Sequence, residues 1–300
     1  MLKIVAFWDG HKKNAYRNQL YLIERLGDHC DLSIYGAGNH DFNKEYDIDH
    51  LTKRFNPDCY YVHFCERFKT WVPKGFENTK IPKIIHDRNW YRVDKGWYDR
   101  YNFDLIIQCM SGLEYLSSKT PTIWMPLSFN EKEFYDHKLK RENKVLFAGS
   151  KGGKHYGLRR HALKTLIDER FAVDKGKDLK EDVYSKTLNQ YTVGLSDSCN
   201  VGVAPSKVYE MMACKTAVLM TDFLKSENIF GKGACWFRYN KENIVDIAKI
   251  AIFNKDLREE LVEKAYEIVH AKHTHAIRVA ETFEVIEAFI KTGKIIDKWG

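Results

Sequence analysis

The sequence has no apolar run near the roughly 18 residues that a membrane-spanning helix needs. Its opening, MLKIVAFWDG, has one lysine and too short an apolar stretch for a secretory signal, with no small-residue cleavage site after it. These two absences predict a cytoplasmic protein with no integral membrane segment. The seven cysteines, Cys30, Cys59, Cys65, Cys109, Cys199, Cys214 and Cys235, are odd in number and form no CxxC, which argues against a disulfide framework and against a thiolate zinc site. Most lie in apolar runs, where a free thiol behaves as a small hydrophobe. No DxD-like carboxylate pair follows an expected strand, and there is no Walker loop or GxGxxG fingerprint. His270, His273 and His275 in HAKHTH match no standard zinc spacing. That segment reads as a connection between helices, and no metal site is expected.

What is present suits a folded enzyme-sized chain. The 300 residues allow two domains of ordinary size, and a hydrophobic fraction of 44% is enough for real cores. The net charge of +7 favours phosphate-bearing ligands, nucleic acid or an anionic surface without selecting among them.

Apolar runs alternate with helical patterns from end to end. Strands are expected at 2–7, 31–35, 59–64, 83–86, 105–109 and 122–125, with a helix at 14–26 that stops at Gly27. The runs are continuous rather than alternating, as in a parallel sheet buried on both faces. After a polar stretch the pattern restarts, with strands at 144–148, 171–173 and 192–195 and helices at 157–167 and 179–188. Helical patterns at 241–253, 256–269 and 275–291 close the chain. The fold class is therefore α/β, with two doubly wound, Rossmann-like parallel sheets facing a cleft. The expected domains are an N-terminal one over 1–127, a linker over 128–143, a C-terminal one over 144–274, and a final helix over 275–300 that packs back on the first. Ligands of such sheets sit outside the carboxyl ends of the strands, so the loops 8–13, 87–90, 149–156 and 196–206 matter most.

Four of these loops carry chemistry. In SKVYEMMACKTAVLMTD, Ser206 is expected as an N-cap, and Val208, Met211 and Met212 form the apolar stripe of a short helix. Its N-terminal amides and Lys207 suit a diphosphate. Glu210, one turn in, suits the hydroxyls of an adjoining ribose; a solvated glutamate is the competing reading. GSKGGKHYGLRR sets Gly149, Ser150, Gly152 and Gly153 between a strand and a helix, where backbone amides can approach phosphate oxygens. Lys154 and Arg159 or Arg160 could neutralise a leaving diphosphate there, and a plain glycine turn is the alternative. IIHDRNW puts His86, Asp87 and Arg88 at a strand end, where a histidine or aspartate can position a hydroxyl or move a proton. Adjacent strand residues point to opposite sides, so at most one of His86 and Asp87 faces a cleft. Asp9 and Gly10 close the first strand, and Trp90 and Tyr91, like Trp97 and Tyr98, could stack on a sugar or base.

KVYEMMACKTAVLMTD resembles the donor-binding motif of GT-B glycosyltransferases, closest to the spore-maturation-like subgroup of that large, mostly retaining family. NPDCYYVHF resembles an element of its N-terminal domains, VLFAGSKGGKHYGLRRHAL the opening of its second domain, and HTHAIRVAETF its late helix. The resemblance implies transfer of a sugar, with retention, from a nucleoside-diphosphate sugar, a UDP-sugar first of all, and no prosthetic group. It implies donor contacts from Gly149, Ser150, Gly152, Gly153, Lys154, Arg159, Ser206, Lys207 and Glu210. From their own positions at strand ends, His86 and Asp87 remain the catalytic candidates and Asp9, Gly10, Arg88 and Trp90 the acceptor-side ones, all in the first domain. Two positions depart from the family. Gly202 stands where the first of two glutamates, eight positions apart, is usual, and Lys215 where a glycine is usual. The acceptor is open among a glycan, a surface polymer, a small molecule and a hydroxylated base in DNA. A basic patch for DNA would draw on Lys12, Lys13, Arg17, Arg88, Arg92, Lys95 and Arg100. An epimerase or phosphorylase of the same fold and a non-enzymatic nucleic-acid-binding protein are the rival readings.

Overall fold

Six parallel strands build the first sheet: β1 Lys3–Phe7, β2 Asp31–Tyr35, β3 Cys59–His63, β4 Lys83–Asp87, β5 Leu105–Gln108 and β6 Thr122–Trp124, in the order β2-β1-β3-β4-β5-β6. The structure is a computed structural model. It describes residues 1–8, 17–39, 42–63, 68–87, 96–109, 119–151, 156–177, 179–198, 203–233 and 235–299, with the side chains of 17–19 and 181 outside that set. Neighbouring residues of one strand serve opposite layers, as a two-residue period requires. Ile4, Ala6, Tyr61, Ile84 and Ile107 join a core with Leu26 of helix α1 (Arg17–Leu26) and with Val279, Val285 and Ile286 near the chain's end. Val5, Phe7, Tyr60, Val62, Ile85 and Ile106 join another with Leu51, Phe68, Phe76 and Trp97. Both faces are covered, which explains the unbroken apolar runs. This sheet belongs to a compact unit made of Met1–Pro126 and Ala276–Gly300.

The second unit is Leu127–His275. Its sheet holds β7 Glu142–Phe147, β8 Ala172–Asp174, β9 Tyr191–Leu195, β10 Ala217–Met220 and β11 Phe237–Arg238, all parallel, in the order β11-β10-β9-β7-β8. In both sheets the first strand lies between the second and third, so strand order reverses beside it. Those two switch points are where doubly wound sheets hold ligands.

Residues 128–143, expected as a linker, lie within the second unit. Phe129 and Phe134 are fully buried there. Phe129 exchanges backbone hydrogen bonds of 3.0 Å with His273 and 2.9 Å with His275. Polar composition had hidden two aromatic anchors. Helix α2 (Ile48–Phe55) was not expected either, because only Ile48 and Leu51 of its eight residues are buried. It forms because Asp47 accepts from the His50 amide at one end and Asn56 turns left-handed at the other.

Candidate functional site

At the second unit's switch point, β7 runs through Phe147 into Gly149 and Ser150, and β9 runs through Leu195 into Ser196 and Asp197. A short helix, α6 (Ser206–Ala213), follows these strand ends. Pro205 occupies the N-cap position that was expected for Ser206, which becomes the first helical residue. Extended φ and ψ at Pro205 suit a cap, whereas Ser206 is already helical. Lys207 Nζ donates to Ala148 O at 3.3 Å and lies 5.0 Å over the Phe147 ring. A Cβ at Gly149 would come within 2.6 Å of Nζ, so the glycine lets the lysine rest on the end of β7. Gly194 does the same for helix packing: a Cβ there would meet Met211 Sδ at 2.3 Å.

Glu210 is not a solvated glutamate. Every residue from Val208 to Ala213 is buried, and Glu210 is 6% exposed. It shares a hydrogen bond with the hydroxyl of Tyr184 on α5 (Glu181–Asn189). Burial first, and then the Glu210 charge, push that hydroxyl well above the ordinary tyrosine range. The helix ends with Lys215 in the left-handed region (φ 54°), with Lys215 N donating to Met212 O and Thr216 N to Met211 O. That is the bond pattern of a Schellman turn, made with a lysine where glycine is usual.

Arg159, on α4 (Gly157–Asp168), is 3% exposed and does not stand open to a ligand. Its Nε donates to Asp197 Oδ1 at 2.6 Å, its Nη1 to Ser150 O at 3.2 Å, and its guanidinium lies 4.2 Å over Tyr156. Arg160 is exposed and donates to Lys151 O. Asp197 was missed. Its place in the loop after β9 was the available signal, but the arginine that gives it a role comes from another element. Beside it, Ser198 N donates to Thr221 Oγ1 at 2.9 Å. Gly152, Gly153 and Lys154 lie outside the described residues.

In the first unit, His86 and Asp87 end β4 and point to opposite faces. Tyr61 Oη lies 2.9 Å from His86 Nδ1 and 3.2 Å from His63 Nδ1, and His86 Nε2 lies 3.2 Å from Cys109 Sγ. A small cavity lined by Leu22, Leu26, Tyr61, His63, His86, Val279 and Thr282 adjoins them. Asp87 is fully buried on the other side and accepts from the Tyr98 hydroxyl. Trp97 and Tyr98 are core residues. Asp9, Gly10, Arg88, Trp90, Tyr91, Lys12, Lys13, Arg92 and Lys95 lie outside the described residues, as does the side chain of Arg17, while Arg100 is exposed at the end of a short helix, Trp97–Arg100. Another concavity, lined by Met1, Lys3, Glu24 and Asp31 among others, sits at the amino ends of β1 and β2, away from where such sheets bind ligands.

Among the described residues no group of three His, Cys, Asp or Glu side chains is arranged to hold a metal ion. None of the helices among them is long and apolar enough to cross a membrane.

The fold recurs in solved structures. A glycosyltransferase from Rickettsia africae superposes with a TM-score of 0.66 at 10% identity, covering 96% of this chain and 98% of that one. Anabaena HepE, solved in complex with UDP and glucose, gives 0.63 at 11%, covering 96% and 100%. An α-glucosyltransferase solved in complex with UDP-glucose and DNA containing an abasic site gives 0.60 at 12%, covering 95% and 99%. No curated protein sequence matches the chain. A sequence profile of the family described as glycosyl transferase-like matches residues 133–284, which is more than half of the chain and takes in β7 to β11 with the whole β7/β9 switch point. The two doubly wound sheets and this match agree: the chain belongs to the glycosyl transferase-like family and is a glycosyltransferase of GT-B architecture.

Proposed function

We propose that the chain moves a sugar from a UDP-sugar to a hydroxyl acceptor with retention at the anomeric carbon, holding the donor on the second unit. The observation that carries this reading is the β7/β9 switch point. Lys207 lies against Gly149 there, at the start of a helix that carries a buried Glu210 one turn in. Helix amides, Lys207 and the amides after Gly149 are suited to a leaving diphosphate. Glu210, oriented by Tyr184, is suited to the ribose hydroxyls. Arg159 takes a different part from the one its sequence suggested. Matched by Asp197, it holds Ser150 O and so shapes the loop rather than meeting the phosphates directly. Ser206, Gly152, Gly153 and Lys154 complete the proposed donor set.

On the acceptor side, His86 is assigned the catalytic part, meeting a sugar or acceptor hydroxyl, and Asp87 a positioning part, since its carboxylate is held by Tyr98. Asp9, Gly10, Arg88 and Trp90 remain assigned to the acceptor. The UDP and glucose bound by Anabaena HepE support a uridine donor. The DNA bound by the α-glucosyltransferase supports a hydroxylated DNA base among the acceptors, beside a glycan or surface polymer.

Calorimetric titration with UDP tests the donor site. Glu210→Gln and Lys207→Ala should each weaken UDP about tenfold or more, roughly 1.4 kcal/mol, in protein that melts cooperatively. Absence of UDP binding to the wild-type chain would remove the reading. Incubation with UDP-sugars and an acceptor panel that includes hydroxymethylated DNA then identifies the transfer.

A further inference from the structure

The carboxyl ends of β3, β4 and β5 bring together four side chains in one continuous chain of contacts: His63, Tyr61, His86 and Cys109. Tyr61, His63 and His86 are buried, and Cys109 is partly exposed. We propose that Cys109 is a reactive thiol with His86 as its base, and a site of covalent modification by soft electrophiles, low-molecular-weight disulfides above all. This inference shares His86 with the sugar-transfer reading but does not depend on it, because its test reads thiol labelling and not sugar transfer.

The geometry supplies the proton logic. Tyr61 has one hydroxyl proton and two Nδ1 neighbours. When it donates to His63 Nδ1, its oxygen is left to accept from His86 Nδ1–H. His86 Nε2 then carries a lone pair toward Cys109 Sγ at 3.2 Å. The thiol proton passes to Nε2, and the resulting imidazolium keeps a partner on both nitrogens, the Tyr61 oxygen and the thiolate sulfur. The thiolate attacks one sulfur of the disulfide. A new S–S bond forms at Cys109, the old one breaks, and the other sulfur leaves as a thiolate with the electron pair. No further oxidant is needed.

The other described cysteines lack this setting. Burial pushes the thiols of Cys30, Cys214 and Cys235 up to about 12 and that of Cys59 higher still. Cys30 donates instead to Leu26 O at 3.2 Å. A thiol becomes reactive through a basic or cationic neighbour and access to solvent, and Cys109 has both.

The test is labelling of the native full-length chain with an aromatic disulfide that releases a coloured thiolate, followed by peptide mapping to separate Cys109 from Cys65 and Cys199. Cys109 should react first. Its rate should rise with pH with a midpoint below the roughly 8.5 of a free cysteine, and His86→Gln should slow it about tenfold or more at neutral pH. The wild-type pH profile stands even if that variant fails to fold. A Cys109 that stays unlabelled, or labels with a midpoint at or above that of a free thiol, overturns the proposal; so does an equal rate in folded His86→Gln.

Discussion

Lys215 holds a backbone conformation that suits glycine, and its side chain explains how. A left-handed turn costs a residue with a Cβ about 1–2 kcal/mol. Against that, Lys215 Nζ is 2.6 Å from Glu263 and 4.6 Å over the Tyr266 ring. A partly exposed ion pair and a cation–π contact contribute about 0.2–1 kcal/mol each. Removing the side chain without freeing the backbone should therefore be the worst change. Lys215→Ala is expected to be less stable than Lys215→Gly by about 1 kcal/mol, with Lys215→Gly close to wild type. Thermal melts of the three proteins decide it, and equal stability of the two variants would mean that the turn relaxes. The same helix marks what the sequence could and could not yield about single residues. Glu210 and Lys207 were legible because helical spacing sets them relative to one another and to the apolar stripe. The bond of Glu210 with Tyr184 was not, because that tyrosine arrives from another helix. Asp197 was likewise illegible without Arg159, 38 positions earlier in the chain.

At the scale of elements, one arginine ties several ends together. Arg141 Nη1 donates to Tyr191 O at 3.0 Å and Thr216 Oγ1 at 3.1 Å, while Nη2 donates to Cys214 O at 2.7 Å and contacts Asn189 Oδ1 at 3.3 Å. It thereby satisfies carbonyls of the buried Tyr191, at the start of β9, and the buried Cys214, at the end of α6. Arg141→Ala should destabilise the second unit by about 2–4 kcal/mol, from the carbonyls it strands. Denaturant unfolding measures this, and a change within the error of the fit would show that the carbonyls find other partners. Acid should loosen the same joint. Burial raises the Asp136 carboxyl, but Lys138 and Arg141 outweigh it and hold the group below its ordinary value. A depressed carboxylate contributes stability that is complete above its unfolded value, near 3.9, and is lost as pH falls through the lower folded value. Asp136→Asn should remove that part of the acid dependence, which melts at a series of pH values below 5 would record. Strands were the most legible elements, since apolar runs of four to six residues could hardly be anything else in this order. Helix α2, with two buried residues in eight, was not legible, because its apolar stripe is too sparse and its caps, Asp47 and Asn56, stand in a polar stretch.

For the molecule as a whole, two runs of alternating strands and helices were plain in the sequence because each restarts after a polar stretch. The polar stretch itself misled, since Phe129 and Phe134 make it part of the second unit's interior. The chain's last segment belongs with its first. Residues of α10 (His275–Thr292) are core members of the first unit: Val279, Val285 and Ile286 pack with Ile4, Ala6 and Ile84. Beyond the helix, Trp299 meets Trp124 of β6 edge to face and lies 5.0 Å from the Arg278 guanidinium. Three buried aliphatic side chains at about 1.5–3 kcal/mol each come to a sizeable share of a domain's usual stability, about 5–15 kcal/mol. Ending the chain after His275 should therefore unfold the first unit and spare the second, since the cluster of Val145, Leu163, Val193 and Ala248 includes no residue of that segment among the described ones. Calorimetry should show one cooperative transition with a reduced enthalpy, and limited proteolysis should leave a fragment that begins near residue 127. Two full transitions in the truncated protein would mean that the first sheet stands without its closing helix.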